Sequence, residues 1–182
     1  PSDAVKNRIA LVPEERRKEG VLVAETVTFN ISAACLGDFC TMSFVNDRKT
    51  AQKAKEYVKS LSIKTPSVKQ RVAYLSGGNQ QKVAVAKWLA ADCDVYIFDD
   101  SFSALDFKTD AAVRKALNEK TSHSTMLIVA QRISTIMGAN QIIVLDEGKI
   151  VGKGTHKELL ENCEVYKQIA LSQLSKEELS NE

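Results

Sequence analysis

The sequence predicts an α/β fold in which a parallel sheet is flanked by helices, with a small helical lobe attached. Val95–Asp100 is an apolar run with β-branched and aromatic members that ends in paired acids, as buried parallel strands do. Thr125–Ala130 is a second run of this kind. Leu75–Lys82, with the sequence LSGGNQQK, places two glycines just before apolar residues at helical spacing. In open α/β sheets, ligands bind at the carboxyl edge, where the paired acids are expected to emerge.

The glycines of Leu75–Lys82 predict a site for a negatively charged group. Ser76 is expected at the N-cap, and Gly77 and Gly78 let backbone N–H groups approach a ligand without a Cβ in between. Free N–H donors and the positive dipole end of a helix favour an anion. The motif therefore predicts a phosphate site, and the alternative is a glycine turn that leads into an ordinary surface helix.

The remaining elements follow from apolar spacing and turn residues. Ile9–Val12 predicts a strand that ends at Pro13. Residues 21–44 lack a clear period and are assigned to the helical lobe, although Thr26–Phe29 is strand-like. Further elements are expected as follows: a helix capped by Asn46 or Asp47 and ending before Pro66, helices over Asp106–Lys120 and Ile133–Met137, a hairpin of Gln141–Leu145 with Lys149–Val151, and closing helices over Thr155–Cys163 and Val165–Leu174.

Composition excludes several classes of protein. The 182 residues, 44% of them hydrophobic, suit one α/β domain. A net charge of +2 with dispersed basic residues argues against a nucleic-acid partner, and the short cluster Arg16–Lys18 is interpreted as a solvated face. The four cysteines form no CxxC pair, which argues against structural zinc and indicates reduced thiols. No apolar run approaches the roughly 20 residues that span a bilayer, so no direct membrane insertion is expected.

The motifs, in their order, resemble the ATP-binding cassette (ABC) ATPases over nearly the whole chain. LSGG, an apolar strand ending in Asp, SALD at Ser103–Asp106 and LIVAQR at Leu127–Arg132 carry the resemblance. It implies an incomplete P-loop NTPase (RecA-like) sheet. Residues 1–99 resemble the second cassette of ribose-type sugar importers, and residues 100–182 resemble ATPase domains of bacterial heterodimeric multidrug exporters. The switch from an importer-like to an exporter-like resemblance after residue 99 predicts a recombinant or chimeric chain that is joined inside the Walker B strand.

The resemblance implies ATP and Mg²⁺ as cofactors and gives roles to particular residues. Asp99 would hold Mg²⁺, and Asp100 would replace the usual Glu that polarises the attacking water, although it is one methylene shorter and should be a poor base. Gln131 stands at the position of the switch His but cannot carry a proton near neutral pH. Glu14 falls at the Q-loop position that contacts Mg²⁺ and water, with a solvated loop acid as the alternative. Ser76, Gly77, Gly78 and Gln80 would serve a partner's ATP, and Asp106 lies at the D-loop position.

The P-loop pattern, GxxxxGK followed by Ser or Thr, does not occur in the 182 residues. The nearest string, Gly148–Thr155, has the wrong spacing and is predicted to be a strand with a glycine bend. In the family's strand order, the P-loop strand would lie between the strands at Leu127–Val129 and Ile142–Leu145. Unless these two pair, unpaired buried backbone groups would cost about 1–3 kcal/mol each. The sequence therefore predicts marginal stability alone, or dimerisation.

We therefore expect a single ABC ATPase domain over residues 1–182 without its N-terminal P-loop part. Its core would be 1–20 and 76–174, its helical lobe 21–75 and its frayed tail 175–182. The resemblance implies a dimer with a second ABC ATPase domain, bound to transmembrane transporter subunits at the cytoplasmic face of the cell membrane.

The expected function is that of the nucleotide-binding, ATP-hydrolysing domain of a transporter for sugar import or multidrug export. The alternative is a non-catalytic, incomplete cassette that cannot hydrolyse ATP alone, which the chemistry favours for the isolated chain. A third possibility is an unrelated α/β binding module in which LSGG is accidental.

Overall fold

The computed structural model describes residues 2–42, 44–103, 105 and 107–173 of the chain. The chain divides into two compact units, Pro1–Val129 and Ala130–Glu182. The predicted α/β class is confirmed, because the first unit holds a parallel sheet with helices packed against it. None of the described helices has the length and apolar character needed to cross a membrane.

The strands and helices predicted for the sheet and its flanks are present, with ends that differ by at most three residues. In chain order, the first unit contains α1 (Ser2–Lys6), β1 (Ile9–Val12), a π-helix (Arg16–Gly20), α2 (Val27–Ser32), a 3-10 helix (Ala33–Phe39), β2 (Cys40–Thr41), β3 (Phe44–Val45), α3 (Asp47–Ser60), a 3-10 turn (Val72–Tyr74), α4 (Gly77–Ala90), β4 (Val95–Asp99), α5 (Phe107–Lys120) and β5 (Thr125–Val129). The second unit contains α6 (Ile133–Ile136), β6 (Ile142–Asp146), β7 (Lys149–Gly154), α7 (His156–Asn162) and α8 (Glu164–Gln173).

The sheet of the first unit has the strand order β1-β4-β5 within the described residues and is parallel throughout. Val12, the last residue of β1, pairs with Phe98, and Asp99 pairs with Val129. Because the strands run in the same direction, their carboxyl ends meet at one edge of the sheet. The segments that follow β1 and β4 therefore start side by side.

Helix α4 is the central helix of the first unit. The sequence predicted one apolar face, but the structure corrects this, because every residue from Gln80 to Ala86 is buried. The helix contacts β1, α2 and α3 on different sides, so polar side chains in this stretch are enclosed as well. Tyr57 of α3 donates its hydroxyl hydrogen to the carbonyl oxygen of Leu89 at 2.8 Å, which fastens the lobe to α4.

The helical lobe differs from the prediction in two places. Thr26–Phe29, which is strand-like in sequence, begins helix α2, because the Thr26 hydroxyl accepts a hydrogen bond from the Phe29 N–H at 3.1 Å and caps the helix. The antiparallel pair β2–β3 was not predicted. The cap of α3 was predicted, since the Asn46 side chain accepts from the Lys49 N–H at 3.1 Å.

Strand β5 is more exposed than its sequence predicts. Thr125–Ala130 was interpreted as a buried strand, but Leu127 and Val129 are 54% and 51% exposed. The reason is position, because among the described residues β5 pairs with β4 alone and is an outer strand of its sheet. An outer strand with exposed apolar side chains is a surface that another strand can cover.

The second unit is built on the predicted hairpin. β6 and β7 pair antiparallel, and Gly148 in the turn has a φ of 75°, which glycine adopts without strain. The segment Gly148–Thr155 is therefore largely strand, as predicted, and its last residue, Thr155, caps helix α7. A Cβ at Gly152 would come within 2.7 Å of Cys163 Sγ, so this glycine permits the close packing of α7 on β7.

Candidate functional site

The motif Ser76–Gly78 lies at the start of α4, a helix of 14 residues. Ser76 occupies the N-cap position, as predicted, with an extended backbone (φ −61°, ψ 157°). Its hydroxyl does not cap the helix, however, because its side chain makes no capping hydrogen bond within the described residues. Ser76 is exposed and both glycines are partly exposed, so the motif is accessible to a ligand. A helix start with an accessible hydroxyl that does not cap the helix fits the recognition of a phosphate oxygen.

Asn79, in the first turn of α4, was not singled out from the sequence. Its Nδ2 donates to Ser76 Oγ at 2.9 Å, and its Oδ1 accepts from the Lys64 N–H at 2.9 Å. The spacing of three residues between Ser76 and Asn79 is a local signal that could have suggested the first bond. The second bond joins residues 15 positions apart and depends on the fold.

The π-helix packs against the start of α4 through two arginines. A Cβ at Gly77 would lie 2.5 Å from Arg16 Nη2, whereas a Cβ at Gly78 would lie at an ordinary 3.7 Å from Leu105. Arg17 Nε donates to Gln80 Oε1 at 3.1 Å. The interpretation of Arg16–Lys18 as a solvated face therefore holds for the exposed Lys18 but is wrong for Arg16, which is only partly exposed.

Gln80 lies beneath the exposed motif. It is fully buried, its Nε2 donates to the carbonyl oxygens of Val72 and Leu75 at 3.1 Å each, and its Oε1 accepts from Arg17. Both ends of the amide are thus used within the chain. This arrangement lets Gln80 hold the 3-10 turn, the π-helix and α4 together below Ser76.

The paired acids lie at the carboxyl edge of the sheet. Asp99 ends β4 and is exposed, and Asp100 follows with its N–H donating to the Val129 carbonyl oxygen at 3.0 Å. The φ of Asp100 is 40°, in the left-handed region that Asp tolerates better than most residues. The chain therefore turns sharply just after Asp99, which leaves this carboxylate at the rim of the sheet.

A hydrogen bond joins the ends of β1 and β4. Ser101 Oγ donates to the Val12 carbonyl oxygen at 2.7 Å, so the loop after β4 is fixed beside the loop after β1. Glu14, two residues after Val12, is exposed in that loop. A shallow depression nearby is lined by Glu14, Glu15, Arg16, Arg17, Lys18 and Ser103. Glu14, Asp99 and Asp100 thus lie at or just after the carboxyl ends of two neighbouring strands, but within the described residues no group of three His, Cys, Asp or Glu side chains is placed to hold a metal ion.

Two further candidate residues are not part of the described first unit. Gln131 belongs to the second unit, is exposed, and its carbonyl oxygen accepts from Gln173 Nε2 at 2.9 Å. Gln173 Oε1 in turn accepts from the Ile133 N–H at 2.9 Å, so one side chain of α8 fixes the start of α6. Asp106 lies outside the described residues, as does the tail at 175–182.

Comparison with known proteins identifies relatives of this chain. The model of the ABC transporter family matches residues 2–103. The xylose import ATP-binding protein of Thermoanaerobacter pseudethanolicus is 37% identical over 155 residues, which are 84% of this chain and 31% of that protein. An uncharacterised ABC transporter ATP-binding protein of Bacillus subtilis is 33% identical over 177 residues, 97% of this chain and 30% of that protein.

Among solved structures, a bacterial Atm1-family ABC exporter with ATP bound is similar to this chain. The TM-score is 0.74 with 26% sequence identity, and the match covers 97% of this chain and 30% of the exporter chain. This chain thus spans about a third of the length of these relatives.

Proposed function

Because this chain belongs to the ABC transporter family, we propose that it contributes the signature motif to an ATP site whose phosphate loop is supplied by a second ABC ATPase domain, and that its acidic sheet edge belongs to the other ATP site of the dimer. The observation that carries the proposal is the start of α4, where Ser76 is exposed and its hydroxyl does not cap the helix. ABC ATPases bind ATP, typically with Mg²⁺, and act as dimers with transmembrane subunits.

Ser76, Gly77 and Gly78 would contact the terminal phosphate of a nucleotide bound by the second domain. The Ser76 hydroxyl and the N–H groups at the start of α4 are donors, and the helix dipole adds a partial positive charge. Gln80 would act from below, since its amide holds Arg17 and the turn before the motif. In the ABC family the signature motif of one domain faces the phosphate loop of the other, so the loop at this site would belong to the partner.

Asp99, Asp100 and Glu14 would serve the other ATP site of the dimer, at this chain's own sheet edge. Bound Mg²⁺ would neutralise the charge that develops on the phosphate oxygens. Asp99 and Glu14 would hold the cation, directly or through water, because both carboxylates are exposed at the same edge. Asp100 would orient the attacking water, but its carboxylate is shorter than that of Glu and should reach the water poorly. Asp106 and Gln131 would complete the site at the D-loop and switch positions.

We therefore propose that the isolated chain does not hydrolyse ATP and that it completes the site of a partner. The partners would be a second ABC ATPase domain and transmembrane subunits at the cytoplasmic face of the cell membrane. Relatives named as xylose and ribose import ATP-binding proteins support a transport role. The helical lobe at 21–75 and the core at 1–20 and 76–174 remain the proposed division of one ATPase domain.

We also propose a junction near residue 99, because the motif at Leu75–Lys82 is importer-like and the motifs at Ser103–Asp106 and Leu127–Arg132 are exporter-like. The matches to the importer protein and to the exporter structure each extend across this position, so they do not locate a junction. Sequencing the encoding DNA across codons 99 and 100 in the source material tests the junction. If the DNA instead encodes an importer-like sequence, or an exporter-like sequence, on both sides of these codons, the proposed junction is wrong.

ATP turnover tests the proposed function. The purified chain is assayed alone and mixed with a P-loop-bearing ABC ATPase domain whose own signature serine is replaced by alanine. We expect no turnover above background from the chain alone and stimulation in the mixture. Ser76→Ala should abolish the stimulation, and Ser122→Ala, at an exposed serine after α5, should leave it unchanged. Turnover by the chain alone that disappears in Asp100→Ala would contradict the proposal.

A further inference from the structure

The two ends of the Asn79 amide are engaged by different partners. The Lys64 N–H donates to Oδ1, and Nδ2 donates to Ser76 Oγ, both at 2.9 Å. A backbone N–H can only donate, so the amide oxygen must face Lys64 and the amide nitrogen must face Ser76. The orientation of this amide is therefore fixed by its surroundings, which is what decides between the two flips of an asparagine side chain.

The orientation of Asn79 determines what the Ser76 hydroxyl can do. A hydroxyl has one hydrogen and two acceptor positions, and the Asn79 nitrogen can only donate to it. The Ser76 hydrogen therefore cannot point at Asn79. Within the described residues, the Ser76 hydroxyl oxygen also accepts no capping hydrogen bond from an N–H of α4. Since Ser76 is exposed, its hydrogen is available to an acceptor outside this chain.

We propose that Asn79 is a positioning residue that keeps Ser76 as a hydrogen-bond donor to the terminal phosphate of a nucleotide held by a second ABC ATPase domain. The inference rests on the proposed function of Ser76. A phosphate near neutral pH offers mainly acceptor oxygens, so a serine whose hydrogen points outward binds it, and a serine whose hydrogen is already donated does not. Lys64, in the segment after α3, anchors the amide and so connects the lobe to the motif.

Two substitutions at Asn79 separate this role from a structural one. Asn79→Asp keeps an oxygen for the Lys64 N–H but places a second oxygen at Ser76, which would then receive the Ser76 hydrogen. Asn79→Ala removes both bonds. Asn79→Asp also adds a negative charge, which would itself repel a phosphate. Asn79→Ala adds no charge, so its effect is compared between the chain with Ser76 and the chain with Ser76→Ala.

The first readout is NMR of the ¹⁵N-labelled chain alone. We expect the Lys64 amide to exchange slowly with solvent in the wild type and in Asn79→Asp, and faster in Asn79→Ala. The side-chain NH₂ signals of Asn79 should shift in Ser76→Ala. A Lys64 amide that exchanges equally in the wild type and Asn79→Ala, or Asn79 signals that Ser76→Ala does not move, would overturn the inference whatever a partner domain does.

The second readout is stimulation of the P-loop-bearing domain described above. Hydrogen bonds to charged groups change binding by roughly tenfold or more, so we expect the concentration of ATP giving half-maximal stimulation to rise about tenfold in Asn79→Ala. In the Ser76→Ala background, Asn79→Ala should have no further effect. Full stimulation by Asn79→Ala, with none by Ser76→Ala, would overturn the role of Asn79 and leave the proposed function intact. No stimulation by the wild type would instead overturn the proposed function, and the NMR signals would still decide whether Asn79 holds Ser76.

Discussion

The guanidinium group of Arg16 lies on the backbone of Gly77 so closely that a Cβ at this glycine would come 2.5 Å from Nη2. The π-helix after β1 and the first turn of α4 therefore pack together at the Ser76–Gly78 motif. Lys87, in the last turn of α4, also joins the two helices, because its Nζ donates to the Gly20 carbonyl oxygen at 2.7 Å. Movement of the loop that carries Glu14 should consequently be transmitted to α4.

The two glycines of the motif should respond differently to alanine. In Gly78→Ala the new methyl group meets only Leu105 at 3.7 Å, so the gain in helix propensity should raise the free energy of unfolding by about 0.5–1 kcal/mol. In Gly77→Ala the methyl group must displace the Arg16 side chain, and this gain should be cancelled or reversed. Urea unfolding followed by circular dichroism measures both. Equal stabilisation by the two variants would show that Arg16 does not pack on Gly77.

Two neighbouring buried glutamines provide a second matched pair. Gln81 is 1% exposed, and within the described residues neither its Oε1 nor its Nε2 has a hydrogen-bond partner. An unpaired buried amide is unfavourable, so Gln81→Met, which keeps the length of the side chain, should raise the free energy of unfolding by about 1 kcal/mol.

Gln80→Met should do the opposite. This amide is fully buried but makes three hydrogen bonds. Its removal would deprive Arg17 Nε and the carbonyl oxygens of Val72 and Leu75 of their hydrogen-bond partner. We expect the variant to lose about 2 kcal/mol or more in denaturant unfolding. If Gln81→Met destabilises the chain as much as Gln80→Met, then Gln81 is hydrogen bonded in solution and the prediction is wrong.

The cysteines should differ in reactivity. Burial raises the pKa of Cys35 to about 11 and also raises the pKa of Cys93, while Cys40 is exposed. The thiolate is the reactive form, so near pH 8 an alkylating reagent should modify Cys40 first in the folded chain. Mass spectrometry of peptides after brief labelling measures this. Labelling of Cys35 at the rate of Cys40 would mean that the lobe opens readily.

The exposed face of β5 should promote self-association. Leu127 and Val129 are about half exposed on an outer strand, and such strands pair with other chains. We expect the wild type to form dimers or larger species at high concentration in sedimentation velocity, and Leu127→Lys to reduce them. Leu171→Lys, at a leucine of α8 that is 57% exposed, is the control. Association that is equal in all three chains would exclude β5 as the contact.

The parts of the fold that the sequence predicts are those with a strong local pattern. β4 follows from a run of apolar residues that ends in acids, and the start of α4 follows from two glycines before an apolar helix. The hairpin β2–β3 has only two residues in each strand, which is too short to produce a periodic signal. Thr26–Phe29 was ambiguous because β-branched residues favour strands, and the Thr26 cap decided in favour of a helix.

The candidate site shows the same limit. The positions of Asp99 and Asp100 at the sheet edge could be predicted, because a parallel strand delivers its last residues there. The contacts of Arg16 with Gly77 and of Lys64 with Asn79 join residues far apart in the chain, and no local pattern encodes them. Gln80 and Gln81 look equivalent in sequence, and only the structure separates the hydrogen-bonded amide from the unpaired one.

The central claim is that Ser76–Gly78 touches the terminal phosphate of a nucleotide held by another domain. Photolabelling with an ATP analogue that carries an azidoanilide on its γ-phosphate tests this most directly, with mass spectrometry to locate the label. In a mixture with a P-loop-bearing ABC ATPase domain, we predict labelling of the peptide that contains Ser76, and its loss when the P-loop lysine of that domain is replaced. Labelling of the partner alone, or equal labelling of this chain without the partner, would contradict the account.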